Sequence, residues 1–166
     1  MITYRHATPD DAKALIAYSN AVGGESDNLT FGRGEFNTSP EAERAFLTSL
    51  AAAPTGCGIL CLDDDTIVAF GTVTASDRPR ICHRGNLGIS VRRAYWGKGI
   101  GTALMQQLIH FAQTAGLTHL MLEVRADNAA AIHLYRKLGF DTLCRWPDFF
   151  KLDDTFADAL LMQRQL

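Results

Sequence analysis

The sequence contains no apolar stretch approaching the roughly 20 residues that a membrane-spanning helix needs. It also lacks a charge excess. Sixteen Lys and Arg stand against 18 Asp and Glu, a net charge of -2. That balance implies no broad basic surface for DNA or RNA and no attraction to a membrane surface. The first residues, Met1–His6, lack the apolar core of a signal peptide. The expectation is a cytoplasmic protein whose domain begins with a strand. Cysteine is scarce, and Cys57, Cys61, Cys82 and Cys144 show no disulfide-framework spacing. Each lies in an apolar run, as a small buried hydrophobe would. Cys57, Cys61, Cys82 and His83 do not match the tighter, paired spacings of zinc sites, so no metal site is expected. No internal repeat and no low-complexity tract is present.

What is there suits a single domain over residues 1–166: 47% hydrophobic residues for a core and 20% charged for solubility. Residues 2–7 read as a strand. Thr8-Pro9-Asp10-Asp11 reads as a helix start, with a hydroxyl cap, Pro at the first position and acids in the first turn. That helix should run to about Val22. Residues 23–38 form a polar, glycine-rich loop that also carries Leu29, Phe31 and Phe36, and loops of this length in compact domains are often functional. Ser39-Pro40 opens a second helix that ends before Pro54.

Strands at 58–62 and 66–74 flank the turn residues Asp63-Asp64-Asp65, and a third strand spans 81–91. Apolar residues recur at helical spacing from Gly99 to about Gln113. A strand at 118–124, a helix at 128–138, and strands at 140–146 and 156–162 complete the order. Asp153-Asp154 reads as the turn between the last two. The sum is a mixed sheet in an α/β (α+β) domain, antiparallel at first and parallel at its centre.

Tyr95-Trp96-Gly97-Lys98-Gly99-Ile100-Gly101 joins a strand to a helix. Alternating glycines expose backbone N–H groups, and the helix adds its unpaired donors and the positive end of its dipole. Such a turn suits phosphate or pyrophosphate, with Lys98 and Arg92-Arg93 nearby. A plain glycine turn would look the same. A P-loop needs Ser or Thr after Gly-Lys, but Gly99 follows Lys98. The dinucleotide fingerprint needs a third glycine where Leu104 stands. It does find an acid about 20 residues on, Glu123, yet too little chain follows for a second half-domain.

Residues 87–104, Leu-Gly-Ile-Ser-Val-Arg-Arg-Ala-Tyr-Trp-Gly-Lys-Gly-Ile-Gly-Thr-Ala-Leu, resemble motif A of the Gcn5-related N-acetyltransferase (GNAT) superfamily. Gly99 and Gly101 fall on its two small positions. Trp96 stands where Gln or Arg is usual, which removes one side chain that helps position a diphosphate. Residues 123–140, from Glu123-Val124-Arg125 through Asn128 and Tyr135 to Leu138-Gly139-Phe140, resemble motif B. The resemblance implies a splayed central sheet flanked by helices and acetyl-coenzyme A as cofactor. The implied cofactor-binding residues are Ile89, Val91, Trp96, Gly97, Lys98, Gly99, Gly101, Thr102 and Asn128. No metal is required.

When an amine attacks a thioester, a thiolate leaves and needs a proton or a hydrogen bond. The resemblance gives that role to Tyr135. Tyr135 follows Asn128 by seven residues, on the same helix face two turns on. Packed at a helix–sheet interface, the same tyrosine would be structural. Glu123 matches the base of ribosomal-protein alanine N-acetyltransferases, a branch of the superfamily with a similar Leu-Glu-Val-Arg run. An exposed strand glutamate has the same look.

Glu25 and Asp27 are rival bases. With Phe31 they form a candidate acceptor site for a cationic amine, or else an ordinary solvated loop. The acceptor is a small-molecule amine or a peptide N-terminus. The thioester is expected between the strand ends at Val91 and Val124. Relatives often form homodimers, but no dimer surface is readable. The alternative function is a non-catalytic acyl-CoA-binding regulatory domain, which would keep Gly97–Gly101 and need neither Tyr135 nor Glu123. A nucleotide-dependent oxidoreductase ranks behind both.

Overall fold

A computed structural model describes residues Met1–Leu166. Strand β1 (Ile2–His6) pairs antiparallel with β2 (Cys57–Asp63), β2 with β3 (Thr66–Ala75), and β3 with β4 (Arg84–Val91). Strand β5 (His119–Arg125) lies parallel to β4 and antiparallel to β7 (Thr155–Gln165), and β6 (Asp141–Leu152) forms the edge beyond β7. The strand order is therefore β1-β2-β3-β4-β5-β7-β6. Its one parallel pair is at the centre, where the sequence pattern put it.

Four helices cover the sheet: α1 (Ala12–Gly23), α2 (Pro40–Ala52), α3 (Ile100–Thr114) and α4 (Ala129–Lys137). Leu104, Met105, Leu108 and Ala112 on α3, with Ile132 and Tyr135 on α4, bury against Val73, Leu87, Leu120, Leu122 and Val124. On the other face, Leu15, Tyr18 and Val22 of α1 and Leu47 of α2 bury against Leu60, Leu62 and Ile67. No helix is long and apolar enough to cross a membrane.

The first helix differs from the sequence reading. Pro9–Asp11 make a short 3-10 turn before α1 begins at Ala12. Asp11 causes the tight entry. Its carboxylate accepts from the Thr8 N–H (2.7 Å) and hydroxyl (3.0 Å), and from both terminal nitrogens of Arg5 (2.7 Å each). The third strand also starts later than expected, at Arg84, because Ile81, Cys82 and His83 lie in the preceding turn.

The last hairpin is longer than its apolar pattern suggested. Three residues, 147–149, stand opposite Asp158 between the pairs Trp146–Ala159 and Phe150–Ala157. Asp158 closes this bulge by accepting from the Asp148 N–H (3.0 Å) and Arg145 Nε (2.5 Å), with Asp148 at φ 53°. The expectation of buried cysteines holds for Cys57 and Cys61 only. Cys82, in the turn before β4, is intermediate, and Cys144 is exposed on the edge strand β6.

Arg5, followed by the Thr8 contacts, holds Asp11 down at about 2, below its ordinary value of 3.8. A depressed carboxyl stabilises the fold above the unfolded value and loses that effect as pH falls through the folded one. Asp11→Asn should therefore lower the melting temperature at pH 7. Melting curves from pH 7 to pH 2 should show the gap to the parent protein closing below about pH 4.

Candidate active site

The site grows from a defect in strand pairing. Strands β4 and β5 pair at three positions only, Arg84–His119, Gly85–Leu120 and Asn86–Met121. The closed end is tight: a Cβ on Gly85 would lie 2.9 Å from Leu117 and Leu120 side chains. Beyond it, β4 continues bonded to β3 as far as Val91, and β5 continues bonded to β7 as far as Arg125. Each strand follows the twist of its own antiparallel partner. The two ends separate, and Leu87–Val91 keep no strand partner on the β5 side.

At the mouth of this gap, the chain leaves β4 through a 3-10 turn at Arg93–Tyr95 and enters α3. Gly97 (φ 72°) and Gly99 (φ 80°) lie in the left-handed region, and a Cβ on either would meet nothing within 4 Å. Glycine is thus required by the backbone here, not by crowding. Gly99 caps α3 with no side-chain hydrogen bond, and no acid sits in the first turn. The first N–H to bond back belongs to Ala103, onto Gly99 O at 3.0 Å. The N–H groups of residues 100–102 have no backbone acceptor, and the helix dipole lies behind them. This is a ready anion cradle, and its open glycine surface fits a diphosphate. Thr102 lies in the same first turn, and a Cβ on Gly101 would lie 3.5 Å from Leu134 and 3.9 Å from Val91, so α3, α4 and the end of β4 meet here.

Side chains hold this loop still. Trp96 Nε1 donates to Val91 O at 2.8 Å, so the residue that departs from motif A ties the loop to its strand. The Tyr95 hydroxyl donates to Asp63 (2.9 Å), and Lys98 Nζ lies 4.9 Å from the Tyr95 ring centroid. The Tyr18 hydroxyl, buried under α1, donates to Ser90 O at 2.9 Å and fixes β4 from the opposite face. Ile89 and Val91 lie half-buried on the strand so fixed.

Tyr135 and Glu123 lie on opposite faces of the sheet. Leu120, Leu122 and Val124 turn one face of β5 into the core that contains Tyr135, while Glu123 alternates to the other face and is exposed. Tyr135 is 8% exposed and its hydroxyl has no hydrogen-bond partner in the chain, yet it is not sealed from solvent. Burial pushes its pKa up to about 12, so the hydroxyl stays protonated at neutral pH. Asn128 caps α4, its Oδ1 accepting from the Ala131 N–H at 3.3 Å, which leaves its amide NH₂ free.

The loop at 24–38 lies on the Glu123 face. Glu25 is engaged: its carboxylate accepts from Arg92 Nε (2.6 Å) and from the Arg93 N–H (2.5 Å). Arg92 is therefore turned toward Glu25, not free for a phosphate. Asp27 is exposed, and its carbonyl accepts from Arg125 Nη1 at 3.1 Å. Phe31 packs on Phe36, ring centroids 5.2 Å apart. Sequence reasoning missed Tyr18, Asp63, Arg125 and the Glu25–Arg92 pair. All four contacts join segments at least 30 residues apart, and no local spacing announces them.

The family model for GNAT acetyltransferases matches residues 25–140. The chain belongs to the GNAT acetyltransferase family. The GNAT-family acetyltransferase of Streptococcus pneumoniae superimposes with a TM-score of 0.97 at 30% identity, over all of both chains. The L-amino acid N-acetyltransferase AaaT of Escherichia coli is 30% identical over 107 residues, 64% of this chain and 65% of its own. The ribosomal protein bS18-alanine N-acetyltransferase of Escherichia coli is 40% identical over 74 residues, 45% of this chain and 50% of its own. The chain thus matches half to two thirds of the length of these two curated relatives.

In this GNAT domain the Trp96 indole N–H is a structural donor. Trp96→Phe keeps the ring and removes that bond, with an expected loss of about 1 kcal/mol in chemical denaturation.

Proposed function

We propose that this chain is an N-acetyltransferase that moves the acetyl group of acetyl-coenzyme A to the primary amine of a small molecule or a peptide N-terminus, directly, within a ternary complex. The observation that carries the reading is an α3 N-terminus without a side-chain cap beside a gap where β4 and β5 stop pairing. The family membership supports it.

Bound acetyl-coenzyme A supplies an activated thioester carbonyl. The N–H groups of Gly97–Thr102 hold the diphosphate, with Lys98 adding charge at the rim. The edge of β4 at Ile89 and Val91, which has no partner strand and of which only the Val91 carbonyl is engaged by Trp96, holds the amides of the pantetheine arm, and the free NH₂ of Asn128 adds a donor at the mouth of α4. Trp96 keeps these groups in register through Val91. Donors on rigid backbone need no reorganisation as charge develops, which is where their catalytic value lies.

Tyr135 keeps its proton at neutral pH and donates it, or a hydrogen bond, to the departing sulfur. Glu123, on the acceptor side of the sheet, takes the proton of the amine directly or through water. Asp27 and Phe31 line the acceptor approach, and Glu25 sets the position of their loop. AaaT acts on L-amino acids and the bS18 enzyme on an alanine, by their names. Free amino acids and protein N-termini are accordingly the first acceptors to screen.

Calorimetric titration with acetyl-coenzyme A, with NADH as the control, is the primary test. Binding of acetyl-coenzyme A alone is expected, and Gly99→Glu should abolish it through bulk and charge. Normal affinity in that variant would remove the loop as the diphosphate site. With an amine that releases free thiol, Tyr135→Phe should lower kcat about 10²–10⁴-fold while leaving the cofactor Kd unchanged. An unaltered kcat would remove Tyr135 as the acid. Tight binding without thiol release from any amine would favour a non-catalytic acyl-CoA-binding domain.

A further inference from the structure

Residues 24–38 touch both lips of the gap. One contact reaches the β4 side, where Glu25 accepts from Arg92 Nε (2.6 Å) and the Arg93 N–H (2.5 Å). Arg92 and Arg93 are the first residues after β4, and they open the turn that leads into Gly97–Gly99. The other contact reaches the β5 side, where the Asp27 carbonyl accepts from Arg125 Nη1. Arg125 ends β5, and Asp127 locks its guanidinium with contacts of 2.9 and 2.6 Å. Between these lips, β4 and β5 share no pairing beyond Asn86 and Met121.

The loop also carries contacts of its own. It folds back so closely that a Cβ on Gly23 would lie 2.6 Å from Gly32 O. Asn20 donates to Phe36 O at 3.4 Å, and Glu35 accepts from the Gly32 N–H at 2.7 Å. The Glu25–Arg92 pair is partly shielded, with side chains 22% and 34% exposed. A shielded, charge-assisted contact with two donors resists water better than an exposed ion pair.

We infer that Glu25 is a positioning residue that couples the cofactor loop to the acceptor loop, so that filling the Gly97–Thr102 cradle orders residues 24–38. Movement of the Arg92–Arg93 turn reaches the loop through one carboxylate, while the Arg125 contact anchors its next residues to the far lip. Coupling of this kind is reciprocal, so an acceptor that orders the loop also tightens cofactor binding. The inference rests on the cofactor reading above.

Hydrogen exchange resolved by segment, with acetyl-coenzyme A alone as the probe, separates the two. In the parent protein, acetyl-coenzyme A should slow exchange at 97–102. It should also slow 24–38 by about fivefold or more, the lower end of ordinary coupling between sites. Glu25→Ala should keep the protection at 97–102 and lose it at 24–38. Glu25→Gln, which retains an acceptor for the Arg93 N–H, should recover part of it. Protection at 97–102 without any at 24–38 in the parent protein would overturn the coupling, as would full transmission in Glu25→Ala. No protection at 97–102 in the parent protein would overturn the cofactor reading, and the coupling with it. Unchanged melting of both variants distinguishes lost coupling from lost folding.

Discussion

Everything in this molecule turns on three residue pairs between β4 and β5. A parallel pair of strands normally stays bonded along its length, because each unbonded backbone group must otherwise find water or another partner. Here the pair closes at Arg84–Asn86 and then opens, since each strand keeps its own antiparallel neighbour. The open edge is a row of backbone donors and acceptors on rigid supports. A loop-borne site could not hold such groups as firmly. The gap also interrupts the sheet between its two faces.

Tyr135 and Glu123 lie on opposite faces of this sheet. The alternation of a strand sends Val124 and Leu122 into the core beside Tyr135 and turns Glu123 outward. The Tyr135 face is buried, while the Glu123 face is open to water. The surrounding contacts fall into the same pattern. Tyr18, Trp96 and Glu25 each fasten a different side of the strand–turn–helix unit that bears the glycines.

Much of the fold was legible because its signals are local. Caps at Ser39 and Asn128, apolar spacing along α3, and glycine or acid turns set the element order, and the structure reproduces it. The boundaries that moved did so for nonlocal reasons. Asp11 tightens the first helix start because Arg5 on the neighbouring strand binds it. Strand β6 outlasts its apolar pattern because an edge strand needs only one bonded neighbour, and Asp158 repairs the bulge that interrupts it. Trp96 was visible only as a departure from motif A. Its contact with Val91 depends on the path of the turn, which sequence spacing does not encode.

The sequence by itself determined the glycine turn, the helix it feeds, the tyrosine two turns down α4 and the alternation that exposes Glu123. These are short-range consequences of backbone sterics and periodicity, and they carry the family resemblance. Tertiary structure alone decided which charges are free. Glu25 and Arg92 read as available ions in the chain, yet they are committed to each other across the fold. Ion pairs form wherever packing brings opposite charges together, and that proximity is a property of the assembled sheet, not of any segment within it.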